Sequence, residues 1–164
     1  MLPTWNKKDI AFNLTDGNAY ICSSSLTVMG LGMWTPPFIK VEWHLLDTTE
    51  RYNLLMQVFE GSKKNVPMPE NPKEYSEYII KELGQSSWKK FYENGAHCSI
   101  SFDLDKKEYE FIPLIYEKES KSLSGVKHGI EILSSDANPE EVIATLERVL
   151  DKIPRLADES AESE

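Results

Sequence analysis

Residues 97–116, His-Cys-Ser-Ile-Ser-Phe-Asp-Leu-Asp-Lys-Lys-Glu-Tyr-Glu-Phe-Ile-Pro-Leu-Ile-Tyr, decide the fold class. They read as two strands around a charged turn. Cys98, Ile100, Phe102 and Leu104 fall on one face by period-two alternation, and His97, Ser99, Ser101 and Asp103 on the other. Residues 109–116 are apolar nearly throughout, the pattern of a strand covered on both sides. No other stretch offers as much strand-forming surface, so this pair is placed at the sheet centre.

Upstream, residues 9–46 also read as strands. Ile10, Phe12 and Leu14 alternate with polar neighbours, Asp16-Gly17-Asn18 signals a turn, and Ala19 to Cys22 follows, which predicts a hairpin. Leu26 to Met33 is apolar but broken by Gly30 and Gly32, and Pro36-Pro37 is expected to stop it. Phe38 to Leu45 alternates as a half-buried strand.

Helices enter with capping chemistry. Asp47 with Glu50 forms a capping box ahead of Leu54, Leu55, Val58 and Phe59, and Gly61 ends that stripe. Asn71, Pro72 and Glu74 open a second helix carrying Tyr75, Tyr78, Ile79 and Leu83. Ser86 is placed as the cap of a short third helix with Trp88 and Phe91. Beyond the strand pair, Val126 to Leu133 reads as a further strand. Asn138, Pro139 and Glu141 then start a helix with Val142, Leu146, Val149 and Ile153 on one stripe, ended by Pro154. Turn-linked strands favour antiparallel pairing. The expectation is an α+β fold: a mostly antiparallel (mixed) central sheet with flanking helices, as a single domain over residues 1–154. Residues 155–164 are small and acidic and are expected to form a disordered tail.

With 164 residues, the chain can bury a core without disulfides or metals. Its net charge of −9 opposes phosphate backbones, so no direct nucleic-acid partner is expected, and a basic protein partner suits it better. Cys22 and Cys98 lack metal or redox spacing and read as buried thiols. The start has no apolar leader and no run approaches a membrane span, so the expected place is the cytoplasm, with no membrane contact.

No catalytic residue, metal site or cofactor is assigned. His44, His97 and His128 each fall at a strand position without ligand spacing and read as exposed. Ser86-Ser87-Trp88-Lys89 matches Ser-x-x-Lys but lacks the companion motifs of acyl-enzyme formers. Gly30-Leu31-Gly32 is followed by prolines where a dinucleotide fold needs a helix. Lys63-Lys64 and Lys89-Lys90 are isolated basic pairs. Two features admit a binding reading. Trp34, beside two prolines, either anchors a partner or folds under its own loop. Asp103, Asp105, Glu108, Glu110, Glu117 and Glu119 form either a solvated strand edge or an acidic rim facing a cationic protein surface.

The succession from residue 86 to 153 resembles immunity proteins of bacterial contact-dependent growth inhibition systems. The matching pieces are Ser-Trp-Lys-Lys-Phe-Tyr, then Ala-His-Cys-Ser-Ile-Ser-Phe, then Tyr-Glu-Phe-Ile-Pro-Leu. Asp-Ala-Asn-Pro-Glu-Glu-Val-Ile-Ala-Thr-Leu-Glu-Arg-Val-Leu closes the series. The resemblance covers less than half of the chain and its motifs are structural. It implies a cytoplasmic, non-enzymatic protein that binds the cognate C-terminal toxin domain of a large secreted exoprotein. Nucleases with basic clefts are common among such toxins. The alternative is a small enzyme or ligand-binding protein with a pocket between sheet and helices, where His97 and Asp103 are the best polar candidates. An adaptor subunit of another complex is a third reading.

Overall fold

The computed structural model describes residues 6–162, the side chain of Glu162 excepted. Residues 1–5 and 163–164 lie outside it, and with them the reading of the chain start and the charge of Glu164.

The strands are β1 (Lys7–Thr15), β2 (Asn18–Leu26), β3 (Gly32–Glu42), β4 (Ala96–Asp103), β5 (Glu108–Glu117), β6 (Ser122–Gly125) and β7 (Glu131–Ser134). They form one seven-stranded sheet in the order β3-β2-β1-β4-β5-β6, and β7 pairs with β5 alongside β6. Every pairing of named strands is antiparallel. The helices are α1 (Thr48–Glu60), α2 (Pro72–Glu82), α3 (Trp88–Glu93) and α4 (Pro139–Glu162). This is the α+β architecture that the strand patterning implied, with β4 inside the sheet.

The hairpin at Asp16-Gly17 joins β1 to β2, with Asp16 and Gly17 at positive φ, the backbone such a tight turn needs. The Asp47–Glu50 capping box of α1 is formed in both directions, a motif worth about 1 kcal/mol. Asn71 and Asn138 cap α2 and α4 through the amides of Glu74 and Glu141. For α3 the cap is Ser87, which accepts from the Lys90 amide, and not Ser86.

The two sheet faces are covered unequally. On one face Ile10, Phe12, Ile21, Cys98, Ile100, Tyr109 and Phe111 pack with α1 and α4 into the main core. On the other, Ile79 and Ile80 of α2, Leu83 at its C-cap and Phe91 of α3 build a smaller cluster over Tyr20, Trp34 and Phe38. Consequently β5 is not covered on both sides. Tyr109, Phe111, Pro113 and Ile115 are buried, while Glu110, Ile112, Leu114 and Tyr116 are only half-buried.

Several sequence expectations need correction. The chain does not stop at Pro36-Pro37. β3 runs through both prolines, which fall at a register shift opposite Cys22 and Ser23. An edge strand tolerates the missing N–H groups at such a bulge. Trp34 is therefore a strand residue. Val126 to Leu133 is not one strand, because a 3-10 turn (Lys127–Gly129) precedes β7. Residues 155–162 are helical, since α4 continues past Pro154. Leu156 extends the buried stripe and is only 2% exposed.

Candidate functional site

β1, β4, β5 and β7 together present a half-bare surface on the side away from α1 and α4. Register builds it row by row. Asp9 of β1 lies opposite Ser101 of β4, Ser101 opposite Glu110 of β5, and Glu110 opposite Ile132 of β7. The next row runs Lys7, Asp103, Glu108 and Ser134. Two residues along on β5 are Ile112 and then Leu114. Ser101 Oγ donates to Asp9 Oδ1, which fixes that carboxylate on the sheet. Glu108, Glu110, Ile112 and Leu114 are half-buried, and Ile132 is 58% exposed. Carboxylates thus alternate with apolar side chains on a rigid sheet, a composition suited to docking a cationic protein surface.

The six predicted acidic residues do not form one site. Asp103, Asp105, Glu108 and Glu110 cluster at the β4–β5 turn, on or beside this face. Asp103 accepts the amides of Lys106 at 2.9 Å and Asp105 at 3.0 Å. These bonds, the Lys106 amide foremost, hold its carboxyl below the usual aspartate range. Its first task is therefore to close the turn. Asp105 accepts from Asn6 Nδ2 at 2.9 Å. Glu117 and Glu119 sit at the opposite end of β5, roughly 30 Å from Glu108 by strand rise. There Glu117 accepts from Ser120 Oγ at 3.3 Å, within the turn.

Trp34 lies apart from both groups. Its ring packs 5.4 Å from Trp88 and 6.0 Å from Phe91, and its carbonyl accepts from the Tyr75 hydroxyl at 2.6 Å. It is half-buried and closes α2 and α3 onto the sheet. Asp9 is the acidic member of the face that sequence reasoning missed, along with the apolar Ile112, Leu114 and Ile132. Its alternation with Ala11 and Asn13 was visible, but its place beside Ser101 depends on the β1–β4 register.

His97 is a correction of a different kind. It is 4% exposed, not a surface histidine, because α3 folds over it. Its Nε2 donates to the Phe91 carbonyl at 2.9 Å, and its ring stands edge-on to Phe91 at 5.0 Å. Burial pushes its pKa down to about 4, against the opposing pull of the Phe91 and Asn94 carbonyls. The ring is thus neutral at pH 7. His44 and His128 sit in 3-10 turns rather than strands, and are exposed as read.

His97 borders a cavity of about 100 Å³, lined mostly by apolar groups with Asn13 and Ser99. Pockets for metabolite-sized ligands run roughly 300–1,000 Å³. Asp103 lies six residues further along β4, roughly 20 Å away by strand rise, so the two candidates of the enzyme reading do not converge. Burial raises the pKa of both the Cys22 and the Cys98 thiol, which keeps them protonated. No cluster of three or more His, Cys, Asp or Glu side chains suited to a metal occurs among the described residues. No helix among them is long and apolar enough to cross a membrane.

Fold and surface together define a single-domain α+β protein whose seven-stranded antiparallel sheet keeps one acidic half-face bare. No family profile and no curated protein sequence matches the chain. Solved structures do share its fold. A protein of unknown function from Neisseria meningitidis superposes with a TM-score of 0.67 at 14% identity, over 93% of this chain and 98% of that one. A chain of the CdiA-CT/CdiI toxin and immunity complex from Yersinia pseudotuberculosis superposes with a TM-score of 0.59 at 12% identity, over 89% and 97% respectively.

Proposed function

We propose that this protein is an immunity protein of the contact-dependent growth inhibition type, one that binds a cognate toxin domain and thereby neutralises it. The observation that carries the reading is the fold shared, over almost the full length of both chains, with a chain of a toxin–immunity complex. The sequence resemblance over residues 86–153 supports it independently, as does the acidic charge. In this reading the partner is the C-terminal toxin domain of a large secreted exoprotein, a nuclease with a basic cleft, met in the cytoplasm of the producing cell. Inhibition is by contact, with no bond-making step.

The proposed contact surface is the bare half-face. Glu108, Glu110 and Asp9 set charge and orientation, Asp103 and Asp105 extend the negative field at the turn, and Ile112, Leu114 and Ile132 supply the apolar centre. Glu117, Glu119 and Trp34 stand away from that surface and are secondary.

Co-expression with the toxin domain encoded next to this gene tests the proposal. The expected result is a stable complex on co-purification and survival of cells that make the toxin. Survival lost on Glu108→Lys/Glu110→Lys, with the variant still folded, assigns the face. A chain that neither binds the toxin domain nor protects cells overturns the function. A double variant that binds as wild type removes the face alone.

A further inference from the structure

A second concavity opens at the far end of the same sheet face, between α3 and the β5–β6 turn. It encloses about 560 Å³. Trp88, Lys89, Tyr92 and Glu93 of α3 form one wall, and Tyr116, Lys118 and Lys121 the other. In sequence the two walls are more than 20 residues apart. The fold brings them together because α3 docks beside the end of β5.

The three rings make a shelf. Trp88 and Tyr92 lie 5.4 Å apart at 46°, and Tyr92 and Tyr116 6.3 Å apart at 34°. All three are half-buried, so each is backed by protein and still has an open side. The shelf is held in place. Trp88 Nε1 donates to the Ser76 carbonyl at 3.2 Å, and Tyr92 packs against His97 at 6.2 Å. Burial raises the Tyr92 pKa, so its hydroxyl stays neutral.

Lysines and carboxylates both surround the shelf: Lys89, Lys118 and Lys121 line the cleft, Glu93 stands in its wall, and Glu117 and Glu119 flank Lys118 in sequence. Lys89, Lys118 and Lys121 are exposed, and none pairs with a carboxylate among the described residues. What the fold gathers in this one cleft is three lysines free of ion pairs among the described residues, beside three aromatic side chains. Aromatic faces accept planar rings by stacking. Lysines accept phosphate as point charges. Glu93 offers an acceptor that repels phosphate and suits sugar hydroxyls. A long polyanion would meet the repulsion of the whole molecule. A small one senses mainly charges within a Debye length of about 8 Å.

We propose that this cleft binds a nucleoside di- or triphosphate. The base stacks on the Trp88–Tyr92–Tyr116 shelf, the phosphates meet Lys118 and Lys121, and the sugar faces Glu93. The site is separate from the acidic face and does not depend on the immunity reading.

Isothermal titration of the intact chain with ATP, GTP, adenosine and tripolyphosphate is the test. The expected result is saturable binding of a nucleoside triphosphate at least about tenfold tighter than of adenosine or tripolyphosphate, because only it uses both shelf and lysines. Lys118→Glu/Lys121→Glu changes two exposed side chains, is checked for folding by circular dichroism, and should weaken binding about tenfold or more. Tyr92→Leu, checked for folding by circular dichroism, should weaken ATP and leave tripolyphosphate unchanged. Three outcomes overturn the proposal: no saturation by any nucleotide up to millimolar concentration, tripolyphosphate binding as tightly as ATP, or unchanged affinity after the charge reversal.

Discussion

His97 shows how a single side chain changes meaning once its surroundings are known. By alternation it belongs to the polar face of β4, where water would keep it near pKa 6.5. In the fold, α3 covers it and the folded-state value drops to about 4. The unfolded chain therefore binds a proton that the folded chain refuses. Stability contributed by the neutral ring is complete above pH 6.5 and is lost as pH falls toward 4. The gap corresponds to about 3 kcal/mol at most. His97→Gln keeps a donor for the Phe91 carbonyl but cannot titrate. Urea unfolding of wild type and variant at pH 7 and pH 4 should show wild type losing more stability than His97→Gln, by up to about 3 kcal/mol. A constant difference across that pH interval would mean that the ring does not stay neutral inside the fold. Gly95 carries a second prediction at this scale. Its φ is +72°, and a Cβ there would collide with the Leu14 carbonyl oxygen and Thr15 Oγ1. Gly95→Ala should cost about 2 kcal/mol or more in the same assay, from left-handed strain plus the clash.

Local chemistry made most elements legible. The Asp47–Glu50 box, the Asn71 and Asn138 caps and the Asp16-Gly17 turn involve residues within three or four positions, and each formed as the sequence implied. What the sequence could not display was docking. The half-bare face depends on α2 and α3 leaving the Glu108–Glu110 end of β5 uncovered, and Asp9 joins Ser101 only through a register spanning 92 positions. Pro154 misled for a related reason. A proline removes one amide donor, but the Leu146, Val149, Ile153 stripe continues to Leu156, and its burial outweighs the lost bond. Leu156 packs where Gly129 leaves room: a Cβ at Gly129 would lie 2.8 Å from both Leu156 Cδ1 and Pro113 Cγ. Truncation after Pro154 should therefore destabilise the protein by about 2–4 kcal/mol, with Leu156→Ala reproducing most of the loss. A truncated chain as stable as the full one would mean that residues 155–162 contribute nothing to the core.

At the scale of the whole molecule, two electrostatic accounts of partner binding compete. Either the net charge of −9 draws in any cationic surface, or the local field of the bare half-face does. β5 separates them, because Glu108 and Glu110 lie at its start while Glu117 ends it and Glu119 follows in the turn beyond. Glu108→Lys/Glu110→Lys and Glu117→Lys/Glu119→Lys change the net charge by the same amount, and even the nearest members, Glu110 and Glu117, stand roughly 23 Å apart by strand rise. That distance is several Debye lengths at physiological salt. If the face steers the toxin domain, the first pair should slow association by about tenfold or more at low salt, and the second should change it by less than about twofold. Raising the salt should bring wild type down toward the first variant, since screening removes what the reversal has already removed. Equal slowing by both pairs in stopped-flow association would assign steering to net charge. The face would then keep at most the contacts of Ile112, Leu114 and Ile132, whose loss appears in the dissociation rate.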